Sequence, residues 1–121
     1  MDERRKFSRI LFGANAYLAQ AESTWRTTIL DLSLNGALVD IPETFNGTQD
    51  SNITLEFVLP DSDIQLVMST KIVHKTSKHL GLRCLHIDVE SISHLRRIIE
   101  LNLGDAELLN RELEMLIQPE E

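Results

Sequence analysis

With 121 residues, a net charge of −7 and no apolar run near the ~20 residues that a membrane helix needs, the chain reads as one soluble domain with one modest core. Its single cysteine, Cys84, excludes an internal disulfide, and the charged start carries no signal-peptide core, so the cytoplasm is the expected compartment. Residues 1–30 carry five Lys/Arg against three Asp/Glu and the remainder seven against sixteen, so a basic arm sits on an acidic body. That distribution suits a small anion better than a nucleic-acid duplex, which asks for a broad basic surface.

Residues 1–10 form the arm, Glu3-Arg4-Arg5-Lys6-Phe7-Ser8-Arg9 at its heart. It has little apolar periodicity and cannot by itself offset its ordering entropy, so it is expected to be mobile without a ligand. Residues 11–89 are the expected barrel, and 14–87 read as strands. Ala14–Gln20 and Trp25–Leu32 are β-rich runs split by Glu22-Ser23-Thr24, and Gly36–Ile41 follows an Asp/Ser turn. A polar stretch holding Asn46-Gly47 comes next. Ile53, Leu55, Phe57 and Leu59 then alternate as in a strand with one buried face. After the turn at Pro60–Asp63, Ile64, Leu66 and Met68 alternate. The pattern then breaks before Ile72, which predicts a bulge. Leu80–Ile87 is the last strand. Six short strands at this spacing predict a closed barrel or a sandwich.

Residues 90–117 switch to helical period, with Leu95, Ile98, Ile99 and Leu103 on one face and Leu109, Leu113 and Leu116 on another. Asp88 and Ser91 are both suited to cap the first helix. Gly104 ends it in a left-handed turn, and Asp105 caps the second. Both apolar stripes predict packing against the barrel. No repeat, low-complexity tract or composition break divides the chain, so residues 1–121 are one domain.

Two motifs about two dozen residues apart carry the chemistry: Arg5-x-x-x-Arg9, with Arg4 beside it, and Asp31-x-Ser33-x-x-Gly36. A guanidinium offers a rigid fork of donors and a flat face, so it can grip a phosphate and stack on a base. A carboxylate accepts from N–H groups such as those on the Watson–Crick edge of guanine. Each motif alone is weak, and Asp31, Ser33 and Asn35 taken singly are ordinary turn residues. Their order and separation, with a strand pair between them, make the combination informative.

Together the motifs resemble those of the PilZ domain, the bacterial receptor module for cyclic di-GMP. The resemblance spans nearly the whole chain and implies a mainly β fold: a six-stranded antiparallel barrel, a flexible N-terminal arginine arm and two C-terminal helices. The segment Gly81–Asp88 with Arg83, followed by two helices, looks like the small single-domain members. The resemblance implies that Arg5 and Arg9 hold the ligand's phosphates and the Hoogsteen edges of its guanines, the preferred bidentate target of arginine. Asp31 would accept from guanine N1–H and N2–H. Ser33 would bond the ligand or fix the turn, and Gly36 would supply a conformation or close approach that a Cβ blocks. Arg4, placed directly before the motif, implies two stacked ligand molecules per chain. His74 stands where related proteins can carry a base-stacking aromatic. An exposed strand-end histidine is an equal reading.

Cys84 reads as a small buried hydrophobe. The four histidines form no recognised zinc pattern, and no triad or phosphate-binding glycine loop is present. The expectation is therefore a non-enzymatic, monomeric, cytoplasmic receptor without metal or cofactor. Cyclic di-GMP would order its arm and signal to a protein partner that the sequence does not name. One rival is a ligand-independent adaptor of the same fold, which would be free to lose Arg5, Arg9, Asp31, Ser33 and Gly36. Another is a single-stranded nucleic-acid barrel, disfavoured because aromatics make up only 5% of the chain and such sites need stacking platforms.

Overall fold

The computed structural model describes residues 7–59 and 62–117, and the side chains of all of these except 106 and 115–117. Six strands are followed by two helices: β1 (Ile10–Gln20), β2 (Ser23–Ser33), β3 (Gly36–Asp40), β4 (Asn52–Val58), β5 (Gln65–Lys75), β6 (His79–Ile87), α1 (Val89–Leu103) and α2 (Ala106–Ile117). The strands close into a barrel in the order β1-β2-β3-β6-β5-β4, and every pairing is antiparallel. Closure leaves no free sheet edge, so each strand has a backbone partner on both sides.

Alternation fills the barrel. Ile53, Leu55 and Phe57 of β4 point inward, as do Leu66, Met68 and Ile72 of β5, and all are buried. Leu18, Ile29, Leu32 and Leu80 complete the centre. The inward series of β5 does not shift phase, contrary to the sequence expectation. It runs through Thr70, a buried threonine whose hydroxyl donates to the Ile53 carbonyl at 2.8 Å. That bond removes the cost of burying the hydroxyl. The irregularities of β5 lie instead in its pairing with β6, at Ser69/Thr70 and Ile72/His74.

Two boundaries also differ from the sequence reading. β2 begins at Ser23, because Ala21 adopts a left-handed φ of 53° and lets Ala21-Glu22 make a two-residue turn. β1 begins at Ile10, inside the stretch read as mobile arm. Ile10 pairs with Leu32 and is buried, so it belongs to the core. Trp25 is buried as well and meets Phe45 edge-on at 4.8 Å.

α1 closes one end of the barrel. Leu95 and Ile99 are fully buried against it, and the hydroxyl of Ser91 accepts from the Val67 N–H. Asp88 is the N-cap residue, with extended backbone. Gly104, at φ 73°, ends the helix and donates its N–H to the Glu100 carbonyl. Asp105 then caps α2 through a bond from the Leu108 N–H to its Oδ1 at 3.0 Å. This tight corner turns α2 back toward the start of β1, and Leu109 is buried beneath it. Among the described residues no helix is long and apolar enough to cross a membrane.

Candidate functional site

The β2–β3 turn is built from its own side chains. Ser33 is buried; its hydroxyl accepts from the Asn35 N–H at 3.1 Å and lies 3.4 Å from the Gly36 carbonyl. Ser33 therefore fixes the turn, one of the two roles read for it. The Asn35 carbonyl accepts from the Cys84 N–H at 2.7 Å, which ties the turn to β6. Gly36 has a φ of 155°, and a Cβ there would collide with the Leu82 carbonyl. The absent side chain is what allows β6 to approach so closely.

Asp31 stands at the mouth of this turn and is only 15% exposed, while the more open Arg9 places Nη1 3.6 Å from its Oδ2. The register explains the meeting: Ile10 pairs with Leu32 and Leu11 with Asp31, so the chain just before β1 runs past the end of β2. Ser8 is docked too. Its N–H lies 3.1 Å from both carboxylate oxygens of Glu112, and its hydroxyl donates to Oε2 at 2.6 Å. Glu112 comes from α2 and is 3% exposed. Phe7 packs against the core cluster. The described end of the arm is thus bound to the body, which corrects the expectation of a free arm through residue 10.

These groups surround a groove of about 1020 Å³. One lip is Phe7–Arg9, and the floor is Asp31, Ser33, Asn35 and Gly36. The far wall is His74 of β5 with Gly81 to Arg83 of β6, and α2 contributes Leu108 and Glu112. Arg9, Asp31, Ser33, Gly36 and His74 of the sequence-predicted set are therefore gathered in one place. Arg4 and Arg5 lie outside the described residues. Arg83 and Glu112 had not been assigned to the site. Glu112 sits 104 positions from its partner, beyond the reach of any local pattern.

The described residues hold no group of three or more His, Cys, Asp or Glu suited to a metal ion. Cys84, half-buried behind the groove wall, has its thiol pKa pushed up to about 11 by burial.

The family model of the PilZ domain matches residues 3–101. The chain belongs to the PilZ family. Solved structures agree in fold. The PilZ domain with c-di-GMP of YcgR from Escherichia coli superposes with a TM-score of 0.68 at 20% identity, over 86% of this chain and 95% of that one. The PilZ domain of CeSA from a cellulose-synthesizing bacterium gives 0.61 at 17% identity, over 80% and 96%. The Bacillus subtilis inhibitor of motility MotI/DgrA gives 0.69 at 18% identity, over 86% of this chain and 53% of its own. The chain therefore spans about half the length of MotI.

Proposed function

We propose that this PilZ domain is a cytoplasmic bacterial receptor for cyclic di-GMP that passes the signal to a protein partner through its arm and second helix. The observation that carries the proposal is the Arg9–Asp31 pair at the lip of the groove. The two side chains offer a guanine complementary partners, a fork for its O6/N7 edge and an acceptor for its N1–H and N2–H. In the free protein they form an ion pair with each other. Their ion pair is 3.6 Å long and Arg9 is 66% exposed, so separating them costs only about 0–1 kcal/mol.

The groove's size fits this reading. About 1020 Å³ lies at the top of the roughly 300–1,000 Å³ usual for small-ligand pockets, which suits a dinucleotide better than a single nucleotide. Arg5 would join Arg9 on the phosphates, and Arg4 would support a second, stacked ligand molecule. His74 would offer its ring to a base. Arm and helix are coupled because Ser8 and Glu112 both line the groove and bond each other. A ligand drawn in by Arg9 acts on the adjoining Ser8–Glu112 contact, which gives α2 a route to report occupancy. The chemistry is binding, with no reaction required. The PilZ domain of YcgR is solved with c-di-GMP, and MotI is an inhibitor of motility, so ligand binding and a regulatory output both suit the fold.

An NMR titration with cyclic di-GMP tests the site. Amide shifts should concentrate at Ser8–Arg9, Asp31–Gly36, His74 and Gly81–Arg83. Shifts confined to the hollow on the opposite side of the barrel, at Gly13–Tyr17 and Glu56–Val58, would remove the proposed site.

A further inference from the structure

We propose that Arg83 is a third ligand-gripping guanidinium of this groove, supplied by the barrel rather than by the arm. The inference rests on the receptor reading above and names a contact that neither motif contains.

The strand register puts Arg83 in line with the site. Ser33 pairs with Gly36, and Gly36 pairs with Arg83, so the three form one cross-strand row on the outer face. The adjacent row runs Asp31, Leu38, Gly81, His74. Two glycines, Gly36 in one row and Gly81 in the other, leave the backbone bare at those positions, with Leu38 lying beside them. That gives a low floor with Arg9 and Asp31 on one side and Arg83 and His74 on the other. Arg83 is exposed and lines the groove, and among the described residues no carboxylate pairs with it. A fork of donors facing an open groove is suited to a phosphodiester.

The spacing favours an extended ligand. From the arm to β6 the chain crosses three strand intervals, at most about 14 Å of backbone separation at ~4.8 Å each. Two long arginine side chains reaching inward from those ends can hold one dinucleotide between them. Arg83 also differs from Arg9 in its support. Its backbone is paired on both sides, to Gly36 and to Lys71, so it needs no segment to order before it can bind. Pre-organised donors avoid the entropy that an ordering segment must lose.

The test is calorimetric titration of cyclic di-GMP into the full chain, Arg83→Ala and Arg83→Lys, with thermal melts of all three. Arg83→Ala should weaken binding about tenfold or more, as for a lost charge-assisted bidentate contact, while the melting temperature stays unchanged. Arg83→Lys should recover only a minor part of the loss, since it restores the charge without the fork. Arg83→Ala binding within twofold of the parent would overturn the inference and leave the receptor reading standing. Full recovery by lysine would also overturn it, by showing a diffuse charge. A parent chain that does not bind cyclic di-GMP would overturn both readings together.

Discussion

Replacing Gly36 by alanine should both destabilise the barrel and weaken ligand binding. The added Cβ would fall on the Leu82 carbonyl oxygen, with Leu82 C and Arg83 Cα only 3.0 and 3.1 Å away. β6 must then retreat by roughly 1.5 Å or more to restore an ordinary contact distance. Retreat stretches the Gly36–Arg83 ladder pair and the 2.7 Å bond from the Cys84 N–H to the Asn35 carbonyl. One or two backbone bonds at about 0.5–1.5 kcal/mol each, plus about 1–3 kcal/mol for an alanine forced toward positive φ, give roughly 1.5–6 kcal/mol. For a domain of this size that is a fall in melting temperature of roughly 6–24 °C. Thermal denaturation followed by circular dichroism measures it. Gly13→Ala is the control, because nothing lies within 4 Å of a Cβ built there. A Gly36→Ala protein melting within about 2 °C of the parent would refute the close-approach argument.

Arg5→Ala, Arg9→Ala and Asp31→Ala should each weaken cyclic di-GMP binding by about 1–3 kcal/mol in a titration, with Lys6→Ala nearly silent; equal losses at Arg5 and Lys6 would mean diffuse charge. Removing residues 1–6 should weaken binding at least as much as Arg5→Ala and leave the melt intact, whereas removal through residue 10 should lower the melt because Ile10 is a core residue. Glu112→Gln should cost about 1–3 kcal/mol of stability through its weakened bonds from Ser8. Binding should hold or tighten, since a carboxylate in the groove repels phosphates; a parallel fall in affinity would show Glu112 to be supportive instead. Cys84, with its thiol raised from 9.0 to about 11, should hold roughly a hundredfold less thiolate than an ordinary cysteine at pH 8 and alkylate slowly until the protein unfolds. As pH rises from about 9 toward 11 the unfolded thiol ionises first, so this group's contribution to stability should be lost across that window.

The features legible in the sequence were those with local causes. β4 announced itself by strict alternation, α1 and α2 by helical period with Gly104 and Asp105 between them. The β2–β3 turn was legible through Asp31, Ser33 and Gly36. What escaped depends on distant partners. Thr70 looks like a break in β5 until Ile53 is seen to accept its hydroxyl. Ile10 looks like part of a charged tail until Leu32 is found opposite it. Glu112 is one of several acids along α2, and only the fold reveals that it alone is buried beneath Ser8. Arg83 needed the register, which places it beside Gly36 across two strands whose chain separation is nearly fifty residues.

Isothermal titration of the full chain with cyclic di-GMP, alongside GTP and cyclic di-AMP, tests the central claim most directly. Saturable binding of cyclic di-GMP, with more than one molecule per chain and little heat from the other two, is the expected result. One molecule per chain would remove only the role given to Arg4. Equal binding of all three nucleotides would contradict the account by showing an unselective site, and no binding of cyclic di-GMP would contradict it in favour of a PilZ barrel that acts by protein contact alone.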